Sequence, residues 1–407
     1  MIEPKLRFKA DDGSQFPDWE ENVFGDFVDT HLEKTSDKDK YPLYSLTIES
    51  GVQPKTDRYE REFLVKKVGD NYKIVPPNGF VYNPMNLRFG ALKVNHEKFS
   101  VSVSGYYDVF SLKDDNVLAF WENYLVTPKM LNYYFSIATG SLIEKLRVHY
   151  SQFVKIKKPL PSLPEQQKIA KFLSTIDTVI EKQKETVSAW EERKKGVMQK
   201  LFSQEVRFKA DDGSEFPDWE EKKIDDVATC FAGATPSTKI PEYWEEGTIR
   251  WMSSGEVNNG QIHDTEKRIS QLGFDKCSTK MVKPNSVVMA LAGQGKTRGM
   301  VAITRVPLCT NQSLCAIETN DEICDDYLYQ YLQTQYNNLR LISSGDGTRG
   351  GLNLKLVGGY VVVVPYLEEQ QKIANCLSSL DEVIEKQKEK LAAWEELKKG
   401  LLQQMFV

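Results

Sequence analysis

The chain has 407 residues, 40% of them hydrophobic, which is enough for two or more cored domains. A net charge of −5 excludes DNA binding through a uniformly basic surface, though not through a local basic face or beside a basic partner. No apolar run reaches the ~18 residues of a membrane span, and the opening MIEPKLRFKADD is too charged for a signal peptide, so a cytoplasmic protein with no membrane partner is expected.

In chain order, the first distinctive segment is residues 7–21, RFKADDGSQFPDWEE, which returns at residues 207–221 with only Gln15 changed, to Glu215. Between residues 22 and 159 the pattern is mixed. Asn83-Pro84-Met85-Asn86 resembles the Asn-Pro-Pro-aromatic motif of amino-methyltransferases, but it lacks the second proline and the aromatic residue. No glycine-rich methyl-donor loop accompanies it, so a turn is expected. SVSVSGYYDVFSL (100–112) alternates like strands, and PKMLNYYFSIATGSLIEKL (128–146) reads as helical.

Residues 160–202 and 364–406 form the second repeat, each opening Pro-x-Leu-x-Glu-Gln-Gln-Lys-Ile within a run rich in Glu, Lys, Gln and Leu. The first copy has no glycine until Gly196, so a long helix is expected in each. Steps of four and three pick out Ile169, Leu173, Ile176, Ile180, Val187, Trp190, Val197 and Leu201 as an apolar seam. The second copy supplies Ile373, Leu377, Leu380, Ile384, Leu391, Trp394, Leu401 and Met405, and the same register puts Gln183, Lys194, Gln387 and Lys398 on the seam. A heptad kept this long predicts a coiled coil, with the polar seam residues fixing register; packing of each helix on its own domain is the simpler alternative. A helix over residues 169–201 is about 50 Å long at ~1.5 Å per residue. The next domain starts at Arg207, directly after it, and has a radius of gyration near ~15 Å. A parallel pair would need the chain to travel back along the whole helix, so an antiparallel pair related by a pseudo-two-fold axis is expected.

The interior at 222–363 offers strands at VVMAL (287–291), MVAIT (300–304), LCAIE (314–318) and YVVVVP (360–365), and a helix at DDYLYQYLQTQYNNLRLI (325–342). ALAGQGKT (290–297) approaches a phosphate-binding loop, but such a loop must open a helix, and the residues that follow are strand-like. A cationic glycine loop between two strands is the better reading, with Gly293, Gly295 and Gly299 allowing close approach and Lys296 and Arg298 able to meet phosphates or base edges. GDGTRGG (345–351) is a second such loop, in which Arg349 has the shape for bidentate contact with guanine or phosphate; a solvated loop is the alternative. All six cysteines lie in the second half and none forms a Cys-x-x-Cys pair. Free thiols are therefore expected rather than disulfides or zinc. No catalytic constellation stands out, and the chain reads as non-catalytic.

The order of parts resembles the specificity subunit of type I restriction-modification systems. The resemblance is carried by AGATPSTKIPEYWEEGTIRWMSSGEV (232–257), TNQSLCAI (310–317), the GTRGGLN loop and the repeated helix openings, and more weakly by LYSLTIESGVQPKTDRYE (43–60) and NPMNLRFGAL (83–92). It implies an α+β chain in which two globular mixed α/β target recognition domains are joined by two long helices forming an antiparallel coiled coil. The expected parts are a recognition domain at 1–160, a heptad helix at 161–203, a second recognition domain at 204–363 and a heptad helix at 364–407. The resemblance also implies recognition of double-stranded DNA in two half-sites, two methyltransferase subunits docked on the helices, and restriction and translocase subunits joined to that core. S-adenosylmethionine and ATP would then belong to those partners, and this chain would hold no cofactor or metal. Half-sites one helical turn apart lie ~34–36 Å from each other, a span such helices can set. The expected DNA contacts are Thr235, Ser237, Lys296, Thr297, Arg298 and Arg349 in the second domain, and Lys55, Arg58, Arg88 and Lys93 in the first. A coiled-coil scaffold that binds only proteins also fits the acidic charge, but it leaves the Gly-Arg-Thr loops without a role.

Overall fold

The computed structural model describes residues 4–48, 51–55, 72–293, 296–343 and 351–406. The chain divides into two compact units, Met1–Glu185 with Glu389–Val407, and Thr186–Lys388. A central helix, Leu163–Phe202, and a C-terminal helix, Leu367–Met405, contribute to both units.

The repeated segments have a structural purpose that is the same in each unit. In the first, Glu20–Val23 pairs antiparallel with Lys157–Leu160, with Glu20 opposite Leu160. In the second, Glu220–Lys223 pairs with Val361–Val364, with Glu220 opposite Val364. The segment before each strand clamps the first turns of the helix that follows. Arg7 donates to Glu165 at 3.1 and 2.9 Å, and Lys168 reaches Asp11 at 2.7 Å. Arg207 donates to Glu369 at 3.0 and 2.7 Å, and Lys372 reaches Asp211 at 2.6 Å. The next glutamine closes the turn: Gln166 Nε2 donates to Pro161 O at 2.9 Å and Gln370 Nε2 to Pro365 O at 2.8 Å. Glu165, Gln166, Glu369 and Gln370 are buried, and these bonds offset the cost, although Gln166 Oε1 is left without a partner among the described residues.

Within each unit the two helices run antiparallel. In the first, Lys398 meets Asp177 at 2.5 Å while Met405 and Phe406 share a core with Ile169 and Leu173. In the second, Lys388 meets Glu191 at 3.0 Å and Lys194 meets Asp381 at 2.7 Å, while Met198 and Leu201 share a core with Ile373 and Leu377. Of the heptad positions, Ile169, Leu173, Ile176, Ile180, Val187, Leu201, Ile373, Leu377, Ile384 and Met405 are buried. Trp190, Val197, Leu380, Leu391 and Leu401 are partly buried, and Trp394 is exposed. Met198 reaches the core ahead of Val197. A straight α-helix drifts by ~20° per heptad from a strict seven-residue repeat, which moves the buried stripe off the register over this length. Leu173 is fully buried, so Leu173→Ala would cost about 2–5 kcal/mol.

The interiors share a frame despite their different sequences. The first unit holds a sheet in the order Val28–Thr30, Asp108–Leu112, Phe80–Tyr82, Leu92–Val94, all antiparallel. The second repeats that order with Ala228–Ala232, Leu314–Thr319, Val287–Ala290 and Val301–Thr304, and adds Gln261–Ile262 in parallel at the edge. Each unit then decorates the frame differently. The first carries the hairpin Tyr44–Thr47 and Gly51–Pro54 and a three-stranded sheet; the second carries a four-stranded sheet built around Ile249–Met252.

Two predicted helices are shorter than their sequence pattern. The first covers only Pro128–Ile137: Ala138 turns extended, and Gly140 passes so close to Lys145 that a Cβ would lie 2.7 Å from its carbonyl oxygen. Residues 139 and 147 instead form an antiparallel bridge. The second is broken at Gln335 into Asp325–Thr334 and Tyr336–Ile342. Among the described residues no helix is long and apolar enough to cross a membrane, and no group of three His, Cys, Asp or Glu residues could hold a metal. The six cysteines are free, with Cys309 and Cys315 buried.

Candidate nucleic-acid interface

In the second unit, several loops meet at one end of the shared frame. The strand Val287–Ala290 runs into Leu291–Gly293, and Thr297–Met300 leads back into Val301–Thr304. This is a connection between antiparallel strands and not the start of a helix, so ALAGQGKT lacks the helix N-terminus that a phosphate-binding loop requires. The neighbouring turn, Asn311–Ser313, is tied in by a bond from Leu291 N to Ser313 O at 2.8 Å. Leu352 N donates to Leu291 O at 2.9 Å, which brings the chain from the far side of the helix Tyr336–Ile342 to the same place.

The segment carrying Thr235 and Ser237 joins this cluster. Thr235 Oγ1 donates to Gln312 Oε1 at 2.6 Å. Gly233 lies where no side chain fits, since a Cβ would fall 1.9 Å from Thr310 O. Trp251 Nε1 donates to Ala234 O at 3.0 Å and Trp244 Nε1 to Ser237 O at 3.2 Å, and the two indoles meet edge to face at 5.1 Å. Thr235, Ser237 and Lys296 are exposed; Thr297 and Arg298 are half-buried. Two side chains of the Tyr336–Ile342 helix hold the backbone of this strip. Tyr336 OH donates to Lys296 O at 2.6 Å, and Arg340 Nη1 donates to Arg298 O at 3.5 Å. Gly299, at φ +82°, packs under Leu339 and Arg340, a backbone conformation that favours glycine. Arg349 lies outside the described residues.

The first unit forms the corresponding cluster from unrelated residues. The loop from Asn83 to Gly90 joins Phe80–Tyr82 to Leu92–Val94, as residues 291–300 join their strands in the second unit. Gly90, at φ +87°, stands just before the returning strand, as Gly299 does. Asn83 Oδ1 accepts from Met85 N at 3.0 Å, the turn expected for Asn83-Pro84-Met85-Asn86. Val148 N donates to Pro84 O at 3.0 Å, the counterpart of Leu352 and Leu291. The loop Ser104–Tyr107, before the strand Asp108–Leu112, closes the cluster as Asn311–Ser313 does in the second unit.

Of the four cations expected in the first domain, none is presented freely at this end among the described residues. Arg88 is half-buried between Phe89 and Phe135, 4.7 and 5.6 Å from their ring centres, and its Nη2 donates to Ile143 O at 2.7 Å. Its Nε and Nη1 are buried without a partner, so this arginine braces the loop. Lys93 lies on the strand after the loop and lines a cleft of about 950 Å³ with His96, Glu122, Asp177 and Lys398, beside the helices. In that cleft His96 Nε2 lies 2.9 Å from Glu122, whose carboxylate raises the imidazole pKa above its ordinary value. Lys55 is exposed at the end of the hairpin Tyr44–Pro54, and Arg58 lies outside the described residues. The cluster does bring together two residues that sequence reasoning missed, Tyr106 and Arg147. Tyr106 sits in a Ser-Gly-Tyr-Tyr turn signal; Arg147 falls in a segment that reads as the end of a helix.

A family model described as "Type I restriction modification DNA specificity domain" matches the chain twice, over residues 18–188 and 217–393. The Type I restriction enzyme MjaIX specificity subunit of Methanocaldococcus jannaschii is 32% identical over 211 residues, 51% of this chain and 48% of the relative. The Type I restriction enzyme EcoR124I/EcoR124II specificity subunit of Escherichia coli is 25% identical over 164 residues, 40% of this chain and 41% of the relative. The chain thus matches about half the length of these relatives. In fold, it is similar to the crystal structure of a type I restriction-modification S subunit from M. genitalium, with a TM-score of 0.60 at 16% identity over 100% of this chain and 99% of the other.

Proposed function

The chain belongs to the type I restriction-modification DNA specificity family, and from that premise we propose that it selects a bipartite duplex DNA sequence without itself performing chemistry. The recognition domains are residues 1–160 and 204–363; the helices at 161–203 and 364–407 set the distance between half-sites. One observation carries this reading: the two units present the same loop end on the same antiparallel frame, but with unrelated residues at it. A shared frame with exchanged side chains suits the same task on different base sequences.

In the second domain Thr235, Ser237, Lys296, Thr297 and Arg298 are the candidate contacts, together with Arg349. Arg58, Lys55, Arg88 and Lys93 are the first domain's candidates from sequence, and Lys55 is the one whose exposure suits a phosphate contact. Phosphate contacts position such a complex, and base contacts specify it. The helices dock two methyltransferase subunits, and restriction and translocase subunits join them; S-adenosylmethionine and ATP are bound by those partners, in the cytoplasm where the DNA lies.

Domain exchange tests the reading. Replacing residues 222–363 with another recognition domain is expected to alter one half of the methylated site and leave the other half intact. A change in both halves, or in neither, sinks it. A gel shift with the methyltransferase partner separates it from a scaffold that binds only proteins, and the binding should weaken steeply with salt.

A further inference from the structure

Within the first unit, the turn at Asn83, the loop Ser104–Tyr107 and the segment leading to Val148 enclose a cavity of about 390 Å³, bordered by Met85, Tyr106 and Arg147. Three features make this cavity unlike an ordinary surface hollow. First, Tyr106 is 88% exposed, so a large aromatic ring stands in solvent at its rim. Second, Arg147 is exposed, and among the described residues its guanidinium makes no hydrogen bond or ion pair. Third, its backbone is fixed: Arg147 N donates to Thr139 O at 3.0 Å, Thr139 N donates to Arg147 O at 2.9 Å, and Val148 is tied to Pro84. An anchored backbone places this cation at the cavity rim, and its guanidinium is not held in another contact among the described residues, so it is available to a ligand. Arg88, the other arginine near this end, is held by Phe89, Phe135 and Ile143.

The place of the cavity in the frame supplies the ligand. It lies at the loop end that corresponds, strand for strand, to the end where the second unit gathers Thr235, Lys296 and Arg298, and the bond from Val148 to Pro84 has its counterpart in that from Leu352 to Leu291. We infer that this cavity reads bases in the first half of the DNA site, with the Arg147 guanidinium hydrogen-bonding the two acceptors of a guanine edge and Tyr106 packing against the adjoining nucleotide. The inference rests on the DNA-specificity reading and names the residues that carry it in the first domain. Guanine is the base whose major-groove edge offers O6 and N7 together, the pair that matches a guanidinium fork.

The test uses the full chain with the methyltransferase subunits of its own host, and maps methylated motifs across the genome. Arg147→Ala is expected to relax one G·C position of the first half, with discrimination there falling about tenfold, and to leave the second half unchanged. The intact second half also reports that the chain has folded. Arg147→Lys keeps the charge but loses the fork, and is expected to relax the same position. Tyr106→Ala is expected to weaken discrimination in the first half only. An unchanged motif, a uniform loss at all sequences, or full rescue by lysine overturns the inference while leaving the DNA-specificity reading standing. A native complex with no sequence preference overturns both.

Discussion

Arg207 and Glu369, 162 residues apart, form a two-point ion pair at 3.0 and 2.7 Å in which the carboxylate is completely buried. Trp219 Nε1 adds a third donor to the same carboxylate at 3.0 Å. The pair joins the repeated RFKADD segment to the first turn of the C-terminal helix, and Arg7 with Glu165 does the same for the central helix. Removing Arg207 leaves the buried carboxylate with Trp219 still donating but with no countercharge, and breaking such a pair costs about 3–5 kcal/mol. Arg207→Ala is therefore expected to lower the thermal midpoint and to speed amide exchange at the start of the C-terminal helix, with the start of the central helix unaffected. Hydrogen exchange resolved by segment checks this, and equal protection at residues 367–372 in variant and native protein refutes it.

His96 titrates above its ordinary value of 6.5, first because Glu122 accepts its hydrogen bond and then because Glu122 and Asp177 lie nearby. Lys93 and Lys398 border the same cleft. A raised folded-state pKa means that the stabilisation is full below about 6.5 and is lost as pH rises through the higher folded value. The imidazole is 64% exposed, so the contribution to stability is small. The NMR titration of His96 is the suitable measurement. Its midpoint is expected above 6.5 in the native chain and lower in Glu122→Gln; an unchanged midpoint in that variant removes Glu122 as the cause.

The two lysines on the helical seam, Lys194 and Lys398, take part in the pairing. Asp381 accepts from Lys194 at 2.7 and 2.9 Å and from Gln330 at 2.9 Å, with both charged side chains largely covered. Lys398 and Asp177 repeat the contact in the other unit. Asp381→Ala is expected to destabilise by about 1.5–3 kcal/mol, the range for a hydrogen bond to a charged group. The exchange Lys194→Asp with Asp381→Lys should recover part of that loss, because Gln330 can turn its amide to offer oxygen. A double-mutant cycle in chemical denaturation measures the coupling; additive single effects would mean that the pair does not set the register.

The plan of the fold was legible in the sequence because repetition and heptad periodicity are properties of the chain itself. The strands VVMAL, MVAIT, LCAIE and YVVVVP appear within a residue or two of their pattern, since buried β-branched runs have few other uses. The common frame was hidden, because Phe80–Tyr82 and Val287–Ala290 share a position in the sheet and almost no sequence. The candidate site was less legible still. Which arginine is free depends on what surrounds it: Arg88 lies next to Phe89 in sequence, but only the fold brings Phe135 and Ile143 against it. Lys93 lies close to Arg88 along the chain, yet a strand begins between them, and its side chain lines the cleft beside the helices instead.

The same dependence on fold makes Tyr336 a sharp probe of the second domain. Its hydroxyl donates to Lys296 O and accepts from Arg340 Nη1 at 3.1 Å, while Arg340 also reaches Arg298 O. These bonds fix the carbonyls of two candidate DNA contacts and so fix the direction of their side chains. Tyr336→Phe keeps the ring, including its stacking with Arg340 at 5.4 Å, and removes only the hydroxyl. Each of the hydroxyl's two bonds contributes about 1 kcal/mol, and the variant loses both. If Lys296 and Arg298 meet DNA, that loss is expected to appear as weaker discrimination in the second half of the methylated site, with the first half and the salt dependence unchanged, because no charge is removed. If the strip only closes the sheet, Tyr336→Phe will lower the melting midpoint and leave the methylated motif as it was. Motif mapping and a melting curve on the same variant therefore distinguish a residue that positions DNA contacts from one that merely packs.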